Sequence, residues 1–194
     1  MKTVRLHSKT PSPYLKKHWR KLLPNFCGPE DCAVMDIGCG NGRNTKFLRS
    51  KRFDYPLCMI SMGLDISTKE YADAVKCHLG HEPFPKHFWG SCFQVFLANY
   101  VFMFLDQKER QQVIREIQKQ STEDTRIMVE LYPSKNSYIT SKAAVLKLQQ
   151  EIFDALGWDK IHWAQGRFIA RKPLSAEGKM AVESCGHYRT KEIV

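Results

Sequence analysis

The stretch from Cys32 to Gly42 constrains the fold more than any other. Six mostly apolar residues, Cys32 to Ile37, run directly into Gly38-x-Gly40-x-Gly42, and a helical pattern starts at Asn41 and continues to about Arg52. Glycines let the backbone turn sharply and come close to a ligand without an intervening side chain. The helix that follows presents free amide groups at its N-terminus. A strand, a glycine turn and a helix in succession form a unit of a layered α/β domain.

The rest of the chain repeats this alternation. Strands are expected at Leu57–Leu64, Val75–Leu79, Phe93–Ala98 and Arg126–Leu131, and helices at Thr68–Ala74, Gln107–Gln120 and Ser141–Leu156. In the last helix Ala144, Leu148, Ile152 and Ala155 have the core-facing spacing. Gln165-Gly166 between Ile161–Ala164 and Arg167–Arg171 suits a tight hairpin turn. Alternating strands and helices predict a parallel sheet covered on both faces, with the hairpin as a break in the pattern. Before this domain, Tyr14–Leu23 reads as a short basic helix, with Tyr14, His18 and Leu22 on one side and Leu15, Trp19 and Leu23 beside them. Three segments result: a basic arm and capping helix at 1–29, the main domain at 30–172, and a tail at 173–194.

A chain of 194 residues supports one substantial core. No apolar stretch approaches the roughly 18 residues of a membrane span, and the N-terminus continues basic where a secretion signal turns apolar. The seven cysteines are scattered, and Cys39, Cys58 and Cys77 fall in or beside apparent strands. Free buried thiols in a reducing compartment fit this better than a disulfide framework, so the cytoplasm is expected. The net charge of +10 is uneven. Lys2, Arg5, Lys9, Lys16, Lys17, Arg20 and Lys21 precede the first acid, Glu30. Three readings stay open for this segment: a solvated face, a contact with an anionic partner such as nucleic acid, and an organelle-targeting peptide.

Dinucleotide-binding loops need Gly-x-Gly-x-x-Gly, and Arg43 stands where the third glycine belongs. Asp36 lies two residues before the first glycine, where a carboxylate orients loop amides or a cationic ligand, or only stabilises the loop. Asp65 closes the second strand. A carboxylate at a strand's C-terminal end can accept both hydroxyls of a ribose, or merely cap the next helix.

Met35-Asp36-Ile37-Gly38-Cys39-Gly40-Asn41-Gly42-Arg43-Asn44 resembles the first motif of class I S-adenosylmethionine-dependent methyltransferases, and Gly63-Leu64-Asp65-Ile66-Ser67 resembles their second. Phe93 to Phe102 is similar to the fourth motif, and Glu109 to Ile117 to the helix after it. The resemblance covers residues 30 to 172. It implies a doubly wound, Rossmann-like, seven-stranded sheet whose last strand is antiparallel, with S-adenosylmethionine as cofactor. Asp36 and the loop Gly38, Cys39, Gly40, Asn41 would bind the cofactor, the loop backbone holding its methionine part. Asp65 would bind the ribose, Ile66 would pack on the adenine, and Asn99 to Val101 would lie near the sulfonium. The usual acid after the third strand is missing from Cys77-His78-Leu79-Gly80, which leaves His78 or backbone groups in its place, and Gln94 stands where an Asp is usual.

Methyl transfer from a sulfonium is an in-line displacement that gains much of its rate from positioning and desolvation, so no dedicated base is obligatory. Asn99, Tyr100, Tyr14 and Trp19 are the candidates to surround the methyl group; for the aromatics, a core role is the alternative. Lys16 and Arg20 are candidates to pair with the cofactor carboxylate or with an anionic acceptor. Asn99 lacks the Pro-Pro-aromatic sequel of exocyclic-amine methyltransferases, and no Pro-Cys dipeptide is present, as carbon-5 pyrimidine methylation would require. The loop wording is also similar to that of small-molecule methyltransferases of the tellurite-resistance type, so a small-molecule acceptor, with an anionic one among the options, is the expectation. The alternative is a protein of this fold that binds nucleic acid or a protein partner through the basic N-terminus. Cys77, His78, His81, His87 and Cys92 lie close in sequence, but their spacing fits no compact zinc motif, and no metal is expected.

Overall fold

The computed structural model describes residues 9–23, 32–51, 59–65, 71–72, 74–85 and 93–179. Ile66 and the expected helix from Thr68 fall outside these residues, except that Tyr71 and Ala72 are described and Ala74 already belongs to a strand. Within the described residues a sheet of seven strands has the order β3-β2-β1-β4-β5-β7-β6. In chain order these are β1 (Cys32–Ile37), β2 (Met59–Asp65), β3 (Ala74–Lys76), β4 (Phe93–Asn99), β5 (Ser121–Glu130), β6 (Asp159–Ala164) and β7 (Arg167–Arg171). Strands β1 to β5 pair in parallel, while β7 is antiparallel to β5 and to β6. This is the Rossmann-like sheet with the reversed last strand that the sequence predicts.

The helices are α1 (Pro13–His18), α2 (Arg43–Arg49), α3 (Gln107–Lys119) and α4 (Lys142–Leu156). A tight 3-10 turn, Trp19–Leu22, continues α1. Alternation along the strands divides the core in two. Val34, Val95, Leu97, Met128 and Ile169 point to the face covered by α1 and α2, where Tyr14, Leu15, Leu22 and Leu48 meet them. Met35, Phe96, Ile127, Val129 and Phe168 point to the other face, under Val113 and Ile117 of α3 and Leu148 and Ile152 of α4. A register shift between Phe93 and Val95 puts Phe93 on the same side as Phe96.

Boundaries differ from the sequence pattern where polar chemistry intervenes. Helix α2 starts at Arg43 because Gly42 is left-handed, with φ +70°. Strand β5 starts at Ser121, five residues early, and its polar first half is held by side-chain bonds such as Thr125 Oγ1 to the Phe93 carbonyl at 2.9 Å. In α4 the buried stripe is Val145, Leu148, Ile152 and Leu156; Ala144 is half-buried and Ala155 is exposed. The stripe is turned by Gln149, which is buried and hydrogen-bonded to the hairpin. Its Nε2 donates to the carbonyls of Ala164 and Arg167, and its Oε1 accepts from the Gly166 amide.

Helix α1 is therefore part of the packed domain. Ser12 caps it, accepting from the Leu15 amide, and Leu15 and Leu22 have no exposed surface. We predict that Leu22→Ala costs about 2–5 kcal/mol, the usual range for a buried leucine. Urea denaturation of the full chain measures this, and a loss below about 1 kcal/mol would mean that α1 is not docked on the sheet.

Candidate active site

The C-terminal ends of the parallel strands converge at one edge of the sheet, the place where ligands bind in open α/β folds. Strand β1 ends at Ile37 and the chain turns through Gly38 (φ +66°) and Gly40 (φ +55°). A side chain on Gly38 would start 2.7 Å from Val101 Cγ2, so Val101, two residues after β4, can approach only because position 38 is glycine. At Gly40 no atom of the described residues lies within 4 Å of the place a side chain would take. The Gly40 amide donates to Asp65 Oδ2 at 2.8 Å, and the Cys39 amide donates to the Leu64 carbonyl at 2.9 Å. These two bonds fasten the loop to the end of β2. The Arg43 amide donates to Asn41 Oδ1 at 3.3 Å, which shapes the exit into α2. The Cys39 thiol is buried, and burial pushes its pKa well above the ordinary value, so it is a spacer with no nucleophilic character.

Asp36 is 1% exposed and accepts from Thr45 Oγ1 at 2.6 Å. Of the two readings the sequence left open, this geometry matches a carboxylate that holds the loop to α2 from behind. Burial pushes its pKa up to about 7, against the hydrogen bonds from Thr45. Gln94 has a comparable structural place, its Oε1 accepting from the Ala33 amide at 2.8 Å.

Asn99 ends β4 beside the loop and is 6% exposed, yet neither its amide nitrogen nor its amide oxygen has a hydrogen-bond partner among the described residues. Buried polar atoms of this kind are uncommon and expensive unless something else satisfies them. Tyr100 follows with φ 64°, a rare conformation for a residue with a side chain. Glu130 holds it there twice over: its amide donates to the Glu130 carbonyl at 2.8 Å and its hydroxyl to Glu130 Oε2 at 3.0 Å.

Glu130 is the residue that reading the sequence misses. It lies at the end of β5, in register with Asn99, and is fully buried. The Ser12 hydroxyl donates to its Oε1, and the Arg167 Nε lies 3.5 Å from its Oε2. Burial raises its pKa, and the hydrogen bonds from Ser12 and Tyr100 oppose that shift. The only signal in the sequence is a lone acid closing an apolar run, Ile127-Met128-Val129-Glu130. Its partners on α1, β4 and β7 come from distant parts of the chain.

The remaining candidates separate. Tyr14 comes close to this cluster. Its ring lies 5.6 Å from the Arg167 guanidinium and its hydroxyl is 2.7 Å from His162 Nδ1, and burial pushes its pKa up to about 12. Trp19 is not brought to Tyr100. It sits at the other end of α1, between the Arg20 guanidinium and the Lys51 ammonium, close to where the Lys21 carbonyl accepts from Arg126. Lys16 and Arg20 are exposed on the outer side of the same segment. His78 lies just past Cys77, whose amide donates to the Asp65 carbonyl, and its ring stacks on His81 at 4.2 Å. Among the described residues no three His, Cys, Asp or Glu side chains converge as they would around a metal ion; His87 and Cys92 lie outside those residues. No helix among them is long and apolar enough to cross a membrane.

This glycine loop, its strand-end acid and its sheet order match a known family. The sequence model described as tellurite resistance protein TehB matches residues 28–129, more than half of the chain. The chain belongs to the TehB family. No curated protein matches it significantly by sequence. Among solved structures, TehB from Haemophilus influenzae superposes with a TM-score of 0.61 at 13% identity, over 86% of this chain and 64% of that one. The 1,6-didemethyltoxoflavin-N1-methyltransferase of Burkholderia thailandensis, solved with 1,6-didemethyltoxoflavin and S-adenosylhomocysteine, gives 0.53 at 14% identity, over 75% of this chain and 72% of that one. The [4+2]-cyclase SpnF gives 0.54 at 14% identity, over 75% and 76%. At such identities these likenesses show the shared fold, and a cyclase among them shows that the fold serves more than one chemistry.

The raised pKa of Asp36 has a stability consequence whose sign follows from linkage. The folded state holds a proton that the unfolded chain releases near pH 4, so the stabilisation is complete below that pH and is lost as pH rises through about 7. Glu130, also raised, acts in the same direction. Thermal melts are expected to fall by several degrees between pH 5 and pH 8, with a flatter profile in Asp36→Asn. A variant with the same pH slope as the parent chain would show that Asp36 is already ionised at pH 5.

Proposed function

We propose that this TehB-family chain is an S-adenosylmethionine-dependent methyltransferase acting on a small-molecule acceptor. The observation that carries the reading is the contact between the Gly40 amide and Asp65, with no other described residue crowding Gly40. It fixes a carboxylate and a bare stretch of backbone at one strand edge, beside the unsatisfied amide of Asn99. These features fit the cofactor. Backbone of Gly38 to Asn41 would face its methionine part, with Cys39 as the buried spacer. Asp65 would accept its ribose hydroxyls, the Asn99 amide would find its missing partners there, and Val101 would supply an apolar wall. His78 lies on the Asp65 side, where the adenine would be expected; Ile66 belongs to the same assignment. Asp36 supports the loop from the core. The division into a capping segment at 1–29, a catalytic unit at 30–172 and a tail at 173–194 is part of the same proposal.

When bound, the cofactor supplies an activated methyl group. What this chain adds is placement and proton handling. Tyr100 and Tyr14 flank the approach to the strand edge, and Tyr132 packs edge-on against Tyr100 at 5.0 Å. An acceptor that loses a proton can pass it to the Tyr100 oxygen as the tyrosine proton moves to Glu130 Oε2. The raised proton affinity of Glu130 suits it to hold that proton. The guanidinium of Arg43 lies 6.0 Å from the Tyr100 ring, and that of Arg167 lies beside Glu130. Two cations at the mouth favour an anionic acceptor. Buried free thiols at Cys39 and Cys77 suit the cytoplasm, the compartment we propose.

Calorimetry with S-adenosylmethionine and S-adenosylhomocysteine tests the assignment. Both are expected to bind, and Asp65→Ala is expected to weaken them by about 1–3 kcal/mol, the cost of leaving buried polar groups unpaired. Absence of binding by either compound would sink the proposal.

A further inference from the structure

Helices α1 and α2 cover the same face of the sheet, and residues that flank them meet at two places. Near the strand edge the Ser12 amide donates to Asn44 Oδ1 at 2.9 Å. At the far end the Lys51 ammonium lies 5.4 Å from the Trp19 ring and 4.6 Å from the Phe47 ring. Among the described residues their outer surface carries charge of one sign. Lys16, Lys17, Arg20, Lys21, Lys46 and Arg49 are all exposed. Residues 9–23 and 37–51 together hold nine Lys or Arg and no Asp or Glu. The opposite face is mixed: α3 and α4 hold six bases and four acids, two of them paired as Arg110–Glu151.

One-signed charge on a rigid pair of helices repels itself unless a partner of opposite sign neutralises it. The strip also interleaves cations with aromatic faces, because half-buried Trp19 lies between Arg20 and Lys51. A track of cations with ring faces beside it is what a phosphodiester chain with unstacked bases requires. A lipid surface would need large apolar side chains to insert. Among the described residues the exposed large hydrophobics, Tyr138, Leu146 and Trp163, all lie on other elements.

We propose that the α1–α2 face binds single-stranded nucleic acid, with the lysines and arginines on phosphates and Trp19 beneath a base. This does not rest on methyl transfer, which cofactor calorimetry reads separately. The test is fluorescence anisotropy of the full chain with a labelled oligouridine of about 20 nucleotides, over a series of salt concentrations. Binding should weaken steeply with salt. Reversing Lys16, Lys17, Arg20 and Lys46 to Glu together should weaken it by about 30-fold or more and flatten the log–log salt slope by about 3, from roughly 0.7 per lost phosphate contact. Reversing Lys108, Lys119, Lys142 and Lys147 on the other face changes net charge by the same amount and should move affinity by less than about threefold. Trp19→Ala should weaken binding by about fivefold or more with the salt slope intact, the mark of stacking. Circular dichroism confirms that each variant is folded. Equal losses from the two four-residue sets would overturn the proposal, as would no binding at about 100 mM salt. Tighter binding to phosphatidylserine vesicles than to the oligonucleotide, lost with the α1–α2 set, would also overturn it.

Discussion

The arrangement of the candidate site depends on a buried carboxylate that has to be neutralised. Removing a charge from water costs several kcal/mol unless hydrogen bonds and an opposite charge replace the solvent. Glu130 meets that demand with Ser12, Tyr100 and Arg167, and so gathers the start of α1, the residue after β4 and the start of β7 around the end of β5. The left-handed backbone of Tyr100 persists because both its amide and its hydroxyl are committed to Glu130. Ser12 does two things at once, capping α1 and donating to the carboxylate, so the docking of that helix and the shape of the site are coupled.

The glycine loop is held by a separate set of contacts. Asp36 fixes it to α2 from within the core, while Asp65 and the Leu64 carbonyl fix it to β2 from the open side. The two acids therefore have different environments. Asp36 is sealed in and pushed toward neutrality, whereas Asp65 stays half-exposed at the strand edge. In the proposed function that difference separates a supporting acid from a ligand-facing one. The loop can remain rigid while no other described residue crowds Gly40.

How much of this is legible in the sequence follows from the range of the forces involved. Strand β1 and the start of α3 can be read because they depend on local pattern: an apolar run into glycines, and a capping box in which Asp106 and Glu109 each bond the other's backbone. The reversed β7 was implied by family resemblance and by the Gln165-Gly166 turn. The polar start of β5 is hidden because its pairing is paid for by side chains such as Thr125 and not by apolar alternation. In α4 Leu148 and Ile152 are buried as the spacing predicts, while Val145 and Leu156 take the places expected for Ala144 and Ala155, because Gln149 belongs to the core for its hydrogen bonds. Glu130 was invisible for the strongest reason. Its role is set by register with Asn99 and by contacts spanning more than 100 residues, and no periodicity encodes either.

The two faces of the sheet then pose different physical problems. Under α3 and α4 the charges are mixed and Arg110 meets Glu151, so that surface is balanced and needs no partner. Under α1 and α2 the apolar side is as well packed, with Leu15, Leu22 and Leu48 fully buried, yet among the described residues the outer side of these helices keeps one sign. Packing explains the apolar residues of these helices and leaves the outer residues undetermined; any mixture of charges would have served solvation equally well. Helix surfaces with bases and no acids add repulsion that their packing does not require. The Ser12–Asn44 contact marks the end of this face nearest the Tyr100–Glu130 pair, and Trp19 marks the far end.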